Sequence, residues 1–545
     1  MFPRLTEEEI VRLAQFGEPS RAPGGTIVAR VGDVGLGLVL VLSGEIEVTQ
    51  AEGRGAETHI ATHSRGNFMG ELAQLSGRPY LVNARAISDI EIITIPPDRL
   101  RALLIAEADL GERIMRALIL RRVGLIEAGA GPVVIGAGAH PDVLRLVNFL
   151  RRNGQPYQSL DPAEDSCARA LVERFHVSDE ELPIVLCPGG QLLRNPTEDQ
   201  IARCTGLVGR IDADKLYDAV VIGAGPAGLA AAVYAGSEGL SVLAIDCRSF
   251  GGQAGASARI ENYLGFPTGI SGMALMGRAF SQAQKFGVEI AIPEEAVKLE
   301  WSDERCSIRL TTGEYVQARA VVIATGARYR RLPLARLEEF EGKSVHYWAS
   351  PLEADLAAGH EITLVGGGNS AGQATVFLAT RARRVTLVVR RQLAASMSQY
   401  LVERIRSQPN IAVVNDTEIS SLSGANGDLE SVVLRDRSGR ETQQHCRHLF
   451  SFIGADPNTD WLAGSGIELD ERGFVVTNGG IVEPISPLAT SRRGVFAVGD
   501  VRSGSVKRVA AAVGDGAQVV ASIHGYLAWS QKVASEPGEK AVMAR

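Results

Sequence analysis

One stretch, residues 217–246, constrains the fold of this chain more than any other. It reads YDAVVIGAGPAGLAAAVYAGSEGLSVLAID: an apolar run, the loop Gly223-Ala224-Gly225-Pro226-Ala227-Gly228, an alanine-rich helical segment, and a second apolar run that ends at Asp246. The pattern predicts a strand–helix–strand unit for a dinucleotide, because its glycines allow a tight turn, close approach of a pyrophosphate and close helix–strand packing. The helix start offers free N–H groups to phosphates, and Asp246 is placed to accept a hydrogen bond from a ribose hydroxyl.

A second glycine-rich loop repeats this design. In EITLVGGGNSAGQATVFLA, residues 361–379, an apolar run leads into GGGNSA and a helical segment. The next apolar run ends in Arg390-Arg391, where a site for NAD would carry an acid. Two guanidinium groups suit a 2′-phosphate, which favours NADPH and leaves NADH open. The predicted residues of this site are Gly366, Gly368, Asn369, Ser370, Ala371, Arg390 and Arg391.

The chain resembles the low-molecular-weight thioredoxin reductases and related pyridine-nucleotide flavoproteins over about residues 214–530. The shared motifs occur in the family's order: GGQ at 251–253, IENYLGFP at 260–267, ATGA at 324–327, GGGNSA at 366–371 and GVFAVGDV at 494–501. The resemblance implies FAD at the first site and a nicotinamide nucleotide at the second. The FAD-binding residues that it implies are Gly223, Gly225, Pro226, Ala227, Gly228, Asp246, Gly252, Gln253, Asn262, Val297, Thr325, Gly326, Gly499, Asp500, Val509 and Ala510.

The chain departs from this family in SVHYWASPLEAD, residues 344–355. The family carries its redox-active Cys-X-X-Cys there, whereas this chain has Trp348 and Pro351 in the cysteine positions. Without a dithiol, the flavin cannot reduce a disulfide by the family's internal relay. We therefore expect hydride transfer from the nicotinamide to the flavin and direct transfer of electrons to an acceptor. Trp348, expected near the flavin, is the one candidate catalytic residue.

Residues 1–128 contain short apolar runs separated by glycines, which is typical of a small antiparallel barrel or jelly roll. They resemble a cyclic-nucleotide-binding domain, whose phosphate cassette begins with the sequence seen at Gly70-Glu71-Leu72-Ala73. Glu71 corresponds to the ribose-binding carboxylate. Tyr80 stands where the family has its phosphate-binding arginine, and Arg78 is the alternative cation. The predicted ligand residues are Gly70, Glu71, Leu72 and Arg78, and it stays open whether the domain binds a cyclic nucleotide, a different ligand or none.

Residues 129–210 resemble a thioredoxin or glutaredoxin domain, with alternating strands and helices and an X-Pro-strand at Leu182-Pro183. The family's Cys-Pro-X-Cys is replaced by His140-Pro141-Asp142-Val143, so thiol–disulfide exchange is not expected there and docking is the expected role. The six cysteines are scattered without a CxxC or zinc-ligand spacing, so we expect free structural thiols and no metal site. Cys187, just after the proline, is the thiol best placed for a redox role.

The sequence as a whole predicts a multidomain α/β protein: an N-terminal β-barrel, a thioredoxin-like domain and two Rossmann-like domains. The expected boundaries are 1–128, 129–210, 211–335 (FAD, first part), 336–462 (NAD(P)), 463–530 (FAD, second part) and a polar tail at 531–545. A net charge of −7 and the lack of a long apolar run predict a cytoplasmic protein that binds neither nucleic acid nor membrane, and we expect a homodimer.

Two other functions remain open at this stage. One is a ferredoxin- or flavodoxin-NADP reductase-like enzyme, since dithiol-free proteins of this fold perform that chemistry. The arginine-rich stretch ARYRRLPLAR, residues 327–336, suits either an acidic partner or a solvated surface. The other is a flavin- and nucleotide-binding sensor with little turnover.

Overall fold

The computed structural model describes residues 2–51, 57–71, 74–75, 79–128, 130–188, 190–208, 211–302, 305–478 and 486–535. Leu72 and Arg78, two of the predicted ligand residues, lie outside the described residues. Within the described ranges, no helix is both long enough and apolar enough to cross a membrane.

The N-terminal domain is a pair of four-stranded antiparallel sheets, as predicted. Their strand orders are β1-β8-β3-β6 and β2-β7-β4-β5. Leu110, Ile114 and Leu118 recur at helical spacing on the last helix and pack against the first sheet. The elements are α1 (Glu7–Ala14), β1 (Glu18–Ala22), β2 (Ile27–Ala29), β3 (Leu38–Ser43), β4 (Ile46–Ala51), β5 (Glu57–His63), β6 (Phe68–Met69), β7 (Asn83–Ala86), β8 (Ile90–Ile95), α2 (Pro97–Ala106) and α3 (Ala108–Glu127).

The middle domain, residues 130–208, is a four-stranded mixed sheet with helices. Its strand order is β10-β9-β11-β12, in which β10 is parallel to β9 and β11 is antiparallel to both neighbours. Phe149 and Leu150 on α4 bury against Val134 and Val185 of the sheet. The thioredoxin fold of this domain stays a prediction. The elements are β9 (Val133–Ile135), α4 (Pro141–Arg152), β10 (Gln158–Leu160), α5 (Ser166–Arg174), β11 (Ile184–Leu186), β12 (Leu192–Arg194) and α6 (Glu198–Cys204).

The prediction that all six cysteines are free thiols was wrong for one pair. Cys187 and Cys204 form a disulfide with an S–S distance of 2.02 Å, and they are separated by 17 residues in sequence. The pair forms because the turn after β11 meets the last turn of α6, a juxtaposition that no local spacing reveals. The other four, Cys167, Cys247, Cys306 and Cys446, are free as predicted.

The first nucleotide domain is built on a seven-stranded sheet of order β15-β14-β13-β18-β17-β16, with a late strand, β29, beside β18. Strands β13, β14, β15, β18 and β29 are parallel, as expected for a dinucleotide fold. The elements of its first part are β13 (Leu216–Ile222), α7 (Pro226–Ser237), β14 (Val242–Ile245), α8 (Gly252–Gly255), α9 (Gly272–Lys285), β15 (Glu289–Ala291), β16 (Ala296–Ser302), β17 (Arg305–Leu310) and β18 (Tyr315–Ile323).

The second nucleotide domain is inserted between the two parts of the first. A two-stranded ribbon of β19 and β28 carries the chain in and out, and the domain's five-stranded sheet, order β20-β27-β21-β22-β23, is entirely parallel. Its elements are β19 (Ala327–Tyr329), α10 (Leu337–Phe340), β20 (Val345–His346), α11 (Pro351–Leu356), β21 (Glu361–Val365), α12 (Asn369–Leu378), β22 (Arg384–Val388), α13 (Gln399–Ser407), β23 (Ile411–Val414), β24 (Thr417–Ala425), β25 (Asp428–Asp436), β26 (Glu441–His445), β27 (His448–Ser451) and β28 (Ala455–Pro457).

The chain then returns to the first nucleotide domain through β29 (Val495–Ala497) and the long helix α14 (Val509–Ser535). Helix α14 packs on α7 in an apolar core of the first nucleotide domain. Gly516 is required at this contact, because a Cβ there would collide with the carbonyl oxygen of Ala227.

Candidate nucleotide-binding sites

The two predicted glycine loops have the same backbone geometry. Gly223 and Gly366 both have positive φ, +110° and +144°, and a Cβ at either would collide with the backbone of a neighbouring strand end, at Ala324 and Phe452 respectively. Gly228 lies under the first loop, where a Cβ would collide with the carbonyl oxygen of Gly223. The chain's own packing therefore demands glycine at these three positions.

Gly225 and Gly368 are different, because the protein itself does not require glycine there. Each is the N-cap of a helix, with φ of −75° and −88°, and neither helix has a side-chain cap. A Cβ on Gly225 would have the Cα of Gly252 as its nearest neighbour, at 3.9 Å, and a Cβ on Gly368 would have nothing within 4 Å. Uncapped helix N-termini facing open space fit the phosphates of two dinucleotides, which supports FAD at α7 and NADPH at α12.

Asp246, at the end of β14, links the first glycine loop to the turn after β14 by hydrogen bonds. Its carboxylate accepts hydrogen bonds from the backbone N–H groups of Ala224 at 2.9 Å, Arg248 at 3.0 Å and Ser249 at 3.1 Å. Burial raises the pKa of Asp246, and these hydrogen bonds oppose that shift. A carboxylate has about four acceptor positions, so one remains for a ribose hydroxyl.

Four of the predicted FAD-binding residues lie between positions 252 and 326, and two of them make side-chain hydrogen bonds. The side-chain amide of Gln253 donates to the carbonyl oxygen of Ala327, and the Thr325 hydroxyl donates to the carbonyl oxygen of Asn458 at 2.8 Å, so both residues brace the entry to the connecting ribbon. Asn262 is exposed on a loop, and Val297 is half-buried on β16.

The second part of the first nucleotide domain reaches the same edge of the sheet. Gly499 follows β29 with φ of +72°, and a Cβ there would lie 2.8 Å from the Cβ of Ala227 at the start of α7. Burial raises the pKa of the neighbouring Asp500 carboxyl, and Lys507 opposes this shift. Val509 and Ala510 are the first two residues of α14. Gly499 thus lies against the start of α7, and Val509 packs against the core cluster that includes Ala224 of the first glycine loop.

The second site is braced by the loop that follows β22. Asn369 accepts the Ser398 N–H at 2.7 Å and donates to the Ser398 hydroxyl at 2.9 Å. Arg390 and Arg391 are exposed just beyond β22. Neither makes a hydrogen bond or ion pair within the described part of the chain, so both guanidinium groups are available to a phosphate.

The segment that replaces the family's cysteine pair is held by a helix cap. The Trp348 indole N–H donates to Glu353 Oε1 at 2.9 Å, and Glu353, only 2% exposed, also accepts the Ser350 N–H at 2.9 Å in a capping box. Pro351 is the first residue of α11. The guanidinium of Arg248, from the first nucleotide domain, lies 6.0 Å from the Trp348 ring centroid.

In the N-terminal domain, the two described residues of the predicted ligand set, Gly70 and Glu71, lie beside arginines of α3. Glu71 is 8% exposed and lies 3.7 Å from the Arg122 guanidinium, and the Gly70 carbonyl oxygen accepts a hydrogen bond from Arg121 at 2.8 Å. The Tyr80 side chain packs in the barrel core, and its hydroxyl accepts the Leu36 N–H at 2.9 Å. No local motif marks Arg122, which comes from α3 rather than from the cassette.

Two glycine loops, each following a parallel strand in its own nucleotide domain, with one domain inserted into the other, are typical of an oxidoreductase that uses a flavin and a pyridine nucleotide. The chain belongs to the pyridine nucleotide-disulphide oxidoreductase family, whose model matches residues 217–516. It is an FAD-dependent oxidoreductase of a family that uses FAD and NADPH. Residues 19–107 match the cyclic nucleotide-binding domain.

Several thioredoxin reductases are similar to this chain. Thioredoxin reductase of Treponema pallidum (strain Nichols) is 34% identical over 312 residues, which is 57% of this chain and 97% of that protein. NADPH-dependent thioredoxin reductase 3 of Arabidopsis thaliana is 33% identical over 359 residues, 62% of this chain and 65% of that protein. The crystal structure of T. acidophilum thioredoxin reductase matches with a TM-score of 0.54 and 29% identity, covering 58% of this chain and 100% of that one.

Proposed function

We propose that this protein oxidises NADPH and passes the electrons through FAD to an acceptor without a dithiol beside the flavin. The observation that carries the proposal is the segment around Trp348 and Pro351, where the family's cysteine pair is expected. It contains no thiol, and Glu353 fixes it by hydrogen bonds to the Trp348 indole and to the cap of α11. When bound, FAD accepts hydride from NADPH and releases electrons to the acceptor.

The chain's own residues have distinct roles in this proposal. The uncapped N-terminus of α7 binds the FAD pyrophosphate, and Asp246 accepts from its adenosine ribose. Asp500 accepts from the ribityl chain, and the positive end of α14 stabilises negative charge on the flavin. Arg390 and Arg391 pair with the 2′-phosphate of NADPH, which makes NADPH the preferred donor.

We propose further that the N-terminal domain regulates the enzyme through the middle domain. Arg122, beside Glu71 in the cassette, donates to the Gly154 carbonyl oxygen at 3.1 and 2.9 Å and to Gln155 Oε1 at 2.8 Å. A ligand that competes for Glu71 would therefore disturb a direct contact with the end of α4. The bound group need not be a cyclic nucleotide, because Tyr80 supplies no cation for a phosphate.

The middle domain has a docking role in this proposal. At the start of α4, where a thioredoxin would carry its cysteines, His140 Nδ1 accepts the Asp142 N–H at 3.2 Å and so acts as a helix cap. Asn153 at the other end of α4 donates to the Arg248 carbonyl oxygen at 3.0 Å, in the first nucleotide domain. The resemblance to thioredoxin reductases also leads us to propose a homodimer.

The arginine-rich stretch 327–336 gives little support to a ferredoxin-type partner. Its guanidinium groups are paired with carboxylates of the same chain: Arg328 with Asp460, Arg330 with Asp456, Arg331 with Glu338 and Glu341, and Arg336 with Glu339. The stretch therefore presents little net positive charge to an acidic protein.

The proposal is tested by anaerobic stopped-flow reduction of the FAD-loaded protein with NADPH, followed by mixing with a quinone or ferricyanide. We expect rapid bleaching and rapid reoxidation, and no reduction of thioredoxin or of an aromatic disulfide at rates typical of the family, because no thiolate lies beside the flavin. A variant with all six cysteines replaced should retain the quinone or ferricyanide activity. Loss of that activity in folded, FAD-loaded Cys187→Ser/Cys204→Ser protein would show that the disulfide carries the electrons and would refute the proposal.

A further inference from the structure

Arg152, the last residue of α4, extends from the middle domain into the first nucleotide domain. Its Nη2 donates to the carbonyl oxygen of Gly252 at 3.0 Å. Its Nε is shielded from solvent and has no hydrogen-bond partner among the described residues. The guanidinium therefore crosses a domain boundary and keeps unused hydrogen-bonding capacity.

The backbone that Arg152 contacts is part of the phosphate cradle. A Cβ on Gly252 would lie 3.1 Å from the Cα of Gly225, so Gly252 lines the same space as the uncapped N-terminus of α7. In the proposed function, this space holds the pyrophosphate of FAD.

The Asp246 carboxylate favours the charged form of the Arg152 guanidinium. Asp246 also accepts the N–H of Ala224 in the first glycine loop, so the cation and this loop share an acidic neighbour.

Within the described ranges, no carboxylate forms an ion pair with Arg152. Burial lowers the pKa of this guanidinium, and repulsion from Arg248 lowers it further, while Asp246 and Glu198 act in the opposite direction without forming an ion pair with it. A buried cation without a paired anion is costly, and a pyrophosphate would supply the missing negative charge.

We propose that Arg152 binds the pyrophosphate of FAD, so that the middle domain completes the flavin site. Arg152 lies outside residues 217–516, which the oxidoreductase family model matches. The proposal depends on FAD binding at the first nucleotide domain and is independent of the electron acceptor. It gives the middle domain a direct part in cofactor retention that does not need the lost dithiol.

The test compares Arg152→Gln with Arg152→Lys and with Asn153→Ala in the full-length protein. Glutamine keeps a donor for the Gly252 carbonyl oxygen and removes the charge, whereas lysine keeps the charge. Asn153→Ala removes the neighbouring uncharged contact with the Arg248 carbonyl oxygen and so serves as the docking control. FAD is removed from each protein, the dissociation constant for FAD is measured by flavin fluorescence, and the pyrophosphate of rebound FAD is observed by ³¹P NMR.

We expect Arg152→Gln to weaken FAD binding roughly 10- to 100-fold, as for loss of one charge-assisted contact, and to shift a pyrophosphate resonance. Arg152→Lys should retain part of the affinity, and Asn153→Ala should leave both the affinity and the resonances close to wild type. Wild-type affinity in Arg152→Gln, or equal weakening in Arg152→Gln and Asn153→Ala, would overturn the proposal. Failure of the wild-type protein to bind FAD would instead contradict the cofactor assignment itself.

Discussion

Replacing Gly225 by valine should separate cofactor binding from folding. The φ of −75° at this position is accessible to any residue, and the nearest protein atom to an added Cβ is 3.9 Å away. We therefore expect the apoprotein of Gly225→Val to lose less than about 1 kcal/mol of unfolding free energy. The valine side chain would nevertheless fill the space in front of the α7 N-terminus, where we propose that the FAD phosphates bind.

The loss of affinity can be estimated from the contacts that valine blocks. About two charge-assisted hydrogen bonds from backbone N–H groups to the pyrophosphate, each worth about 1.5–3 kcal/mol, amount to roughly 3–6 kcal/mol. Such a loss corresponds to about 10²- to 10⁴-fold weaker binding. Purified Gly225→Val should therefore be colourless.

The flavin content per chain is measured from the flavin absorbance band. The stability is measured by thermal unfolding of the wild-type and Gly225→Val apoproteins. Gly228→Ala provides the contrasting control, because its Cβ would collide with the Gly223 carbonyl oxygen and should destabilise the apoprotein itself, on the order of 3 kcal/mol. A Gly225→Val protein with full flavin content would refute the assignment of this helix end to the pyrophosphate. An apoprotein as unstable as Gly228→Ala would show that packing, rather than the cofactor, requires Gly225.

Three further predictions concern other parts of the chain. Arg390→Ala with Arg391→Ala should raise the KM for NADPH by tens-fold or more and leave that for NADH nearly unchanged, since only NADPH offers a phosphate; equal effects on steady-state kinetics with both coenzymes would contradict it. Calorimetry should detect no micromolar binding of cyclic AMP, because Tyr80 offers no cation; micromolar binding would refute this. Burial lowers the pKa of His346 to about 4 and of His448 to about 3. As the pH falls, both histidines are therefore protonated in the unfolded chain before they are protonated in the folded one. The stability that the two neutral histidines contribute is present above about pH 6.5 and is lost as the pH falls. Hydrogen exchange of β27 should show about 2 kcal/mol lost per histidine from pH 6.5 to 5, and a double His→Gln variant with the same pH dependence as wild type would contradict it.

The sequence predicted those parts of the site that the local backbone dictates. Positive φ at Gly223 and the close contact under Gly228 arise within one strand–helix unit, so the spacing of the glycines is sufficient to identify them. Asp246 is fixed by the same unit. The expectation that Tyr80 replaces a phosphate-binding cation stays a prediction; the hydrogen bond that its hydroxyl accepts from Leu36 required the structure.

The parts that the sequence did not predict all depend on contacts between distant segments. Arg152 acts at the far end of an ordinary amphipathic helix, and its function is defined only by the domain against which the helix packs. The Cys187–Cys204 disulfide likewise depends on how a turn and a helix end meet in three dimensions. Side chains that act across such boundaries have no characteristic spacing in the sequence.

The insertion of one nucleotide domain into the other imposes an order on biosynthesis. The inserted sheet is complete within residues 345–451, so it can form as soon as that stretch leaves the ribosome. The first nucleotide domain must wait, because β29 completes its parallel strands and α14 covers α7. A released fragment that ends near residue 470 would therefore have a finished NADPH-binding domain beside an open flavin-binding one, with the apolar face of α7 accessible to chaperones.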